Sequence, residues 1–233
     1  FWNSVIGKPY IEFEDKVTKQ EVYNCCSHYP MNSDCKEQTA MCVDVGKVLH
    51  CTIGIRTGRD SYRIVKVHRC NTWEELYVIA NAYNCRSVVI DCAPERHKAK
   101  EFQQHYRGIV HLCEYNFSMS GGENWNNGVV RVNRTEICDR TTSVFKYAGK
   151  MMLPMRCSEI DQYAYEVSNT ARKLVTGNNG VNFYSYITPN DAPDHYFHST
   201  NYFLLACKFL NYSSLDDMRR NKNLQNDTPY TIF

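Results

Sequence analysis

From Ala40 onward the sequence alternates short apolar segments rich in β-branched residues with segments of helical spacing. We predict strands over 41–55 and 61–68, joined by a hairpin turn at 57–60. A helix over 73–83, a strand over 87–92, a helix over 94–106 and a strand over 109–114 follow. An antiparallel hairpin followed by alternating helices and strands indicates an α/β fold, with a mixed sheet and helices on its faces.

The second half of the chain continues the alternation after a loop rich in glycine and asparagine at 121–128. We predict a strand over 129–132, a helix over 135–147 with Thr135 as its N-cap, and a helix over 158–169. A turn from Gly177 to Gly180 predicts a hairpin of strands 172–176 and 181–187. A last helix over 193–210 has Pro193 in its first turn. These elements place a domain at 40–212, a linker-like lead-in at 1–39 and a polar tail at 213–233.

Composition is consistent with one soluble domain, because 43% of the 233 residues are hydrophobic. The apolar stretches are far shorter than the ~20 residues of a membrane-spanning helix. The N-terminus also lacks the basic and then apolar pattern of a signal peptide. We therefore expect no membrane partner.

Overall charge does not indicate a nucleic-acid-binding protein, since the formal net charge is only +2. A polyanion would need local clusters of basic residues, and such clusters occur near residues 96–100 and 131–150. The alternative is that these residues lie on solvent-exposed helix faces. The candidates for contact with a polyanion are Lys98, Lys100, Arg134, Arg140 and Lys146.

Twelve cysteines raise the alternative of a secreted, disulfide-bonded glycoprotein, since an even count accompanies several glycosylation sequons. Many of the cysteines stand inside apolar segments, where a reduced cysteine behaves as a small buried hydrophobic residue. We therefore expect mainly reduced thiols. Those in apolar segments are Cys42, Cys51, Cys92, Cys113 and Cys207, and the sequons begin at Asn116, Asn133, Asn211 and Asn226.

A loose group of potential zinc ligands precedes and enters the first strand, at Cys25, Cys26, His28, Cys35 and Cys42. None of these residues follow the Cys-x-x-Cys spacing of a zinc knuckle. We interpret them as loop cysteines, and a small structural zinc site remains the alternative.

Three carboxylates stand against apolar segments of the predicted core. Asp44 interrupts an apolar run, Asp91 ends another, and Asp194 opens the last helix. A buried charge costs several kcal/mol unless it is paired or binds a metal. Three convergent carboxylates suit Mg²⁺ or Mn²⁺, and two such ions would serve hydrolysis of a phosphodiester. Taken singly, each acid could instead be a turn residue, a strand-end cap or an acid favoured by the helix dipole.

His198 follows Asp194 by four residues, so both side chains lie on one face of the predicted helix. His198 could therefore join Asp194 at a metal, or remain a hydrogen-bonded surface histidine. The sequence contains no Gly-x-x-x-x-Gly-Lys-Ser/Thr motif for nucleotide phosphates. It also contains neither the Gly-x-Ser-x-Gly nor the His-Glu-x-x-His motif.

Several motifs, in this order, resemble the C-terminal nuclease domain of phage terminase large subunits. Residues 3–10, Asn-Ser-Val-Ile-Gly-Lys-Pro-Tyr, resemble the segment after the ATPase motor. Val43-Asp44-Val45-Gly46 and Val89-Ile90-Asp91 resemble the two metal-binding strands. Residues 134–139 resemble a mid-domain Arg-Thr-Glu segment, and residues 194–199 resemble the Asp-His-x-x-Asp-Ala helix start, with Tyr202 at a matching position.

The resemblance implies an RNase H-like mixed sheet flanked by helices on both faces, which cleaves double-stranded viral DNA concatemers during genome packaging. It implies Asp44, Asp91 and Asp194 as catalytic metal ligands for two Mg²⁺ or Mn²⁺ ions. His198 stands where the family commonly has Asp, so His198 is a fourth candidate ligand. The implied partners are double-stranded DNA, an upstream ATPase domain, the small terminase subunit and the portal protein, in the host cell cytoplasm.

Two alternatives remain beside this reading. One is another RNase H-like nuclease, of the transposase or resolvase type. The other is a non-catalytic module that binds DNA or the portal and is stabilised by zinc. Such a module would contain stoichiometric zinc and would keep its function when the acids are removed.

Overall fold

The computed structural model describes residues 15–211, except Ser118, Ser120, Asn178, Asn179, Asn190 and Asp191. The strands are β1 (Asp15–Lys16), β2 (Thr39–Asp44), β3 (Leu49–Gly58), β4 (Ser61–Cys70), β5 (Cys85–Asp91), β6 (Val110–Tyr115), β7 (Glu123–Asn126), β8 (Val129–Val132), β9 (Met151–Met152), β10 (Ala171–Thr176) and β11 (Asn182–Ile187). The helices are α1 (Lys19–Asn24), α2 (Trp73–Ala82), α3 (Arg96–His105), α4 (Arg134–Lys146), α5 (Ser158–Val167) and α6 (His195–Ala206), and a 3₁₀ turn (Cys207–Phe209) follows α6.

The main sheet has eight strands in the order β7-β8-β6-β5-β2-β3-β4-β9. Strands β2, β5, β6 and β8 run parallel to one another, whereas β3 is antiparallel to both β2 and β4. A smaller sheet has the order β1-β10-β11. The mixed sheet predicted from the alternation of elements is therefore confirmed.

Helices cover both faces of the main sheet. One hydrophobic cluster joins the sheet to α1, α4, α5 and α6, and a second joins its other face to α2 and α3. Helix α6 packs on β2, β3 and β5. Ten of its 12 residues are buried, including the polar Ser199, Thr200 and Asn201, so α6 is a central helix of the fold.

Gly54 in β3 permits the close approach of α6 to the sheet. A Cβ atom added at Gly54 would lie 2.8 Å from Cζ of Phe203 and would also collide with the backbone carbonyl of Arg63. The hydroxyl groups of Thr52 and Ser199 share a hydrogen bond of 2.6 Å across the same interface. The position of α6 over the sheet is thus fixed by the close approach of Phe203 to Gly54 and by a hydroxyl hydrogen bond.

Three local predictions were wrong. Residues 41–55 form two antiparallel strands, because the chain reverses at residues 45–48 after Asp44. The predicted loop at 121–128 contains β7, which pairs with β8 around Gly128, a residue with a φ of 74°. Helix α4 has Asn133 as its N-cap, with the side chain accepting from the backbone N–H of Glu136, and not Thr135.

The described part of the predicted lead-in is not irregular. Thr18 and Glu21 form a capping box at the start of α1, and β1 pairs with β10. Val17 and Val22 are fully buried in the cluster beneath α6. Residues 15–26 therefore pack as part of the fold, whereas residues 1–14 and the predicted tail at 213–233 lie outside the described residues.

All twelve cysteines are free thiols, and the five predicted to be core residues are buried. This agrees with the expectation of reduced cysteines. Within the described residues, no helix combines the length and the apolar character that crossing a membrane requires.

Candidate metal centre

Asp44 and Asp91 lie at the C-terminal ends of two adjacent parallel strands. Cys42 is paired with Val89 in the β2–β5 register, and both side chains belong to the cluster beneath α6. Side chains two residues apart in a strand share a face, so Asp44 and Asp91 point to the same side as α6. Asp44 is only 6% exposed. The two carboxylates therefore lie on neighbouring strands, at the end of the parallel part of the sheet and on the side of α6.

Asp194 and His198 lie on the first turns of α6. Asp194 is the N-cap residue, but its carboxylate makes no capping hydrogen bond. Instead, its Oδ2 lies 3.4 Å from Nε2 of His198 and accepts a hydrogen bond of 2.5 Å from the hydroxyl of Thr188. Nδ1 of His198 lies 2.9 Å from the hydroxyl of Tyr115, at the end of β6. The predicted i,i+4 relationship is present, and it forms an acid–histidine pair.

His195, which the sequence analysis did not single out, pairs with Asp44. Its Nδ1 lies 2.8 Å from Oδ2 of Asp44, and its ring stacks on His50 with centroids 4.5 Å apart. Nε2 of His50 is 3.7 Å from Oε1 of Glu166, whose other oxygen accepts from the backbone N–H of Tyr196. A buried acid thus accepts a hydrogen bond from the N-terminus of α6 and lies beside His50. The Asp-His dipeptide was visible in the sequence, but its contact with Asp44 spans 151 positions.

Their surroundings shift the pKa values of Asp91 and Asp194 in opposite directions. Burial raises the pKa of Asp91 to about 6, and the negative charge of Asp44 adds to this, against the hydrogen bond from the backbone N–H of Ala93. Burial also disfavours the charged form of Asp194, but His198 and Thr188 outweigh it and lower its pKa to about 2. Asp194 is therefore a stable carboxylate, whereas Asp91 carries a charge that is not fully compensated.

The hydrogen bond that His195 donates to the Asp44 carboxylate raises the pKa of His195, so this imidazole holds the proton of the pair. His50 behaves in the opposite way, because burial lowers its pKa to about 4. The stacked pair therefore combines one histidine that favours the charged form with one that favours the neutral form.

The structure contains two acid–histidine pairs, Asp44 with His195 and Asp194 with His198. The third predicted acid, Asp91, lies on the strand next to Asp44. In the described part of the chain, the one set of three or more His, Cys, Asp or Glu ligand atoms lying within 4.8 Å of one another is that of His68, Cys70 and Glu75. Asp44, Asp91 and Asp194 do not form such a compact set. Each paired aspartate uses Oδ2 for its histidine and retains a second carboxylate oxygen, which fits a hard divalent cation.

Among the five predicted basic residues, Arg134 approaches Tyr115, which contacts His198. Its guanidinium group lies 5.9 Å from the ring of Tyr115, the residue that contacts His198, and donates to the carbonyl of Tyr186 at 2.7 Å. Lys98 and Lys100 are exposed on α3, and Lys98 pairs with Glu101 at 3.4 Å. The others are ion-paired, Arg140 with Glu123 and Lys146 with Asp15.

The cysteines near residue 25 do not gather as a metal site within the described residues. The thiols of Cys25 and Cys26 face the backbone carbonyls of Glu21 and Val22 in α1. Cys42 is in the centre of β2, in the sheet core.

Comparison with known proteins places this architecture among RNase H-like folds, through two solved structures. No family model and no curated protein match the sequence. The large terminase nuclease from the thermophilic phage G20c superposes with a TM-score of 0.50 and 13% identity, over 79% of this chain and 97% of that chain. A second structure of the G20c nuclease, with bound magnesium, gives 0.52 and 13%, over 83% and 98% of the two chains. At this identity the likeness shows the fold, and the chain has the fold of large terminase nucleases.

Proposed function

We propose that this chain is a metal-dependent endonuclease domain that cleaves double-stranded DNA during phage genome packaging. The observation that carries the proposal is the position of Asp44 and Asp91, at the ends of adjacent parallel strands and beneath the first turns of α6. Helix α6 adds a third carboxylate and two imidazoles at its N-terminus. The likeness to a nuclease fold that binds magnesium supports the same chemistry.

We assign the metal ligands to Asp44, Asp91, Asp194 and His198, and we expect two Mg²⁺ or Mn²⁺ ions. Bound metal would activate a water and neutralise charge on the phosphodiester that is cleaved. Within the chain, His195 orients Asp44, and Thr188 orients Asp194, through hydrogen bonds of 2.8 and 2.5 Å. Such outer contacts hold ligands in place before the cation binds. The uncompensated charge of Asp91 would be relieved by the cation.

We place the DNA backbone across the face that carries Arg134, with Arg140 and Lys146 of the same helix as further candidate contacts. Lys98 and Lys100 are candidate contacts on α3, which packs on the other face of the sheet. Contacts of this kind go to phosphates and give little sequence preference. We further propose that the domain works beside an ATPase domain, a small terminase subunit and a portal protein in the host cytoplasm, as the sequence resemblance implies.

Plasmid cleavage tests the proposal. Supercoiled DNA is incubated with the purified chain and EDTA, Mg²⁺ or Mn²⁺, and the Asp91→Ala and Asp44→Ala variants are compared with Asp60→Ala. Asp60 is an exposed acid in the turn at the opposite end of the β3–β4 hairpin, so it is a matched control. We expect nicking or linearisation that needs a metal, survives Asp60→Ala and is lost in the other two variants.

Retained cleavage in Asp44→Ala and Asp91→Ala, with an unchanged circular dichroism spectrum, would overturn the site assignment. Absence of cleavage with either metal, also after fusion to a terminase ATPase domain, would favour the non-catalytic binding module.

A further inference from the structure

A second group of metal-binding side chains lies on the opposite face of the main sheet. His68 and Cys70 are two residues apart near the end of β4, so they share a face. Glu75 lies in the first turn of α2, which packs on that face. One ligand atom from each of these residues lies within 4.8 Å of the other two. The group is separate from Asp44 and Asp91, which face α6.

Cys51 supplies a fourth candidate ligand from the neighbouring strand. It stands directly opposite His68 in the antiparallel β3–β4 register, whereas Cys70 stands opposite Leu49. Residues directly opposite on antiparallel strands present their side chains on one face. The Sγ atoms of Cys51 and Cys70 are 3.7 Å apart, so these are two thiols in contact and not a disulfide.

The sulfur separation matches that of a tetrahedral zinc site. With Zn–S bonds of about 2.3 Å, the two sulfurs of a tetrahedral site lie about 3.8 Å apart. Two thiolates, one imidazole and one carboxylate are also ligands that Zn²⁺ accepts. The observed 3.7 Å lets both sulfurs approach one ion, and the Cys51 side chain must also turn towards His68 and Glu75, because its sulfur lies outside the compact group of His68, Cys70 and Glu75.

We propose a structural zinc site that ties α2 to the β3–β4 hairpin, with four ligands: Cys51, His68, Cys70 and Glu75. Four protein ligands leave no open coordination position, which is the pattern of structural sites. The two cysteines are fully buried, whereas His68 is half-buried and Glu75 is exposed. The ion therefore reaches the sulfurs from the side of His68 and Glu75.

Glu75 is held in place beside the end of β4. Its carboxylate accepts a hydrogen bond of 2.7 Å from the backbone N–H of Asn71, through Oε2. This contact holds the carboxylate over the end of β4.

Cobalt titration distinguishes this site from the proposed nuclease centre, which contains no cysteine. The chain is stripped with chelator under reducing conditions and titrated with Co²⁺, and then with Zn²⁺ in competition. We expect one equivalent of Co²⁺ with a tetrahedral spectrum and a thiolate-to-cobalt charge-transfer band, which one equivalent of Zn²⁺ removes. Asp91→Asn should leave this band unchanged, whatever it does to cleavage.

Variants identify the ligands. Cys70→Ser should abolish the charge-transfer band, whereas Cys113→Ser, a matched change at a buried cysteine of β6, should keep it. His68→Ala and Glu75→Gln change side chains that are partly or fully exposed, so these two variants should fold and their Co²⁺ binding can be measured even if Cys70→Ser fails to fold. Each should weaken Co²⁺ binding at least about tenfold. A native chain without the band, or a band that His68→Ala leaves at full affinity, would overturn the proposal.

Discussion

Nδ1 of His195 lies 2.8 Å from Oδ2 of Asp44, and this contact joins the first turn of α6 to the end of β2. The Asp-His dipeptide therefore contributes two different functions to one site. Asp194 turns towards His198, whereas His195 turns towards the strand acid. A carboxylate that is held by an imidazole before metal binds loses less freedom when the metal arrives.

We predict that His195→Asn lowers metal affinity or cleavage rate by about 10- to 100-fold, because Asp44 loses the partner that orients it. The Mg²⁺ dependence of plasmid cleavage measures this effect. His28→Asn is the matched control, since His28 is exposed in the segment after α1. If the two variants gave the same metal titration, the contact between His195 and Asp44 would have no part in catalysis.

We predict that Asp91→Asn stabilises the metal-free protein at pH 7 while it abolishes cleavage. The pKa of Asp91 rises from 3.8 to about 6, so the folded state binds its proton more tightly than the unfolded chain does. The stability that this gives is present below pH ~4 and is lost as the pH rises through about 6. The gain from Asp91→Asn at pH 7 is then about 1–3 kcal/mol.

Asp194→Asn provides the matched comparison, with the opposite sign. The pKa of Asp194 is lowered to about 2, so its charged form stabilises the fold above pH ~4 and that contribution is lost as the pH falls through about 2. Thermal unfolding in EDTA at pH 7 should show a higher Tm for Asp91→Asn and a lower Tm for Asp194→Asn. A lower Tm for both would contradict the assignment of an uncompensated charge to Asp91.

We predict that His198 sets the preference between the two metals. Imidazole nitrogen suits Mn²⁺ better than Mg²⁺, so His198→Ala should reduce Mn²⁺-supported cleavage about tenfold more than Mg²⁺-supported cleavage. His198→Asp supplies an oxygen ligand and should shift the preference towards Mg²⁺. The measurement is the cleavage rate at matched concentrations of the two ions. An unchanged ratio in both variants would leave His198 as a hydrogen-bonding partner of Tyr115.

We predict that Arg134→Gln weakens binding to duplex DNA and reduces the slope of log K against log salt by about 1. Arg134 stands beside Tyr115, which contacts His198. Lys146→Gln should have a smaller effect, because Lys146 is ion-paired with Asp15 on β1. Fluorescence anisotropy over a series of salt concentrations measures both slopes. An equal loss of DNA affinity in the two variants would mean that Lys146 also contacts the DNA.

The elements that the sequence predicted are those whose pattern is local. Strand β5 is a short apolar run that ends on an acid, and α2 has a threonine N-cap and helical spacing. The break between β2 and β3 was not predicted, since apolar residues continue on both sides of Gly46 and only the antiparallel pairing reveals the reversal. Helix α1 is only 6 residues long, which is too short for its periodicity to be recognised.

The site was predictable only in part for a similar reason. A charge within a buried strand is visible at Asp44 and Asp91, because burial makes it costly. The partner of each charge depends on how α6 docks. The stack of His50 on His195 and the hydrogen bond from Tyr196 to Glu166 join residues far apart in the chain. No spacing rule connects them.

Ten of the 12 residues of α6 are buried, so the helix that carries Asp194, His195 and His198 is anchored along most of its length in the core. A segment of this kind opens only when the surrounding core opens. Heat should therefore abolish the proposed cleavage in the same transition that melts the sheet, with no earlier loss of activity. Substitutions deep in the core, such as a side chain at Gly54, would then appear in screens as activity defects although they touch no ligand.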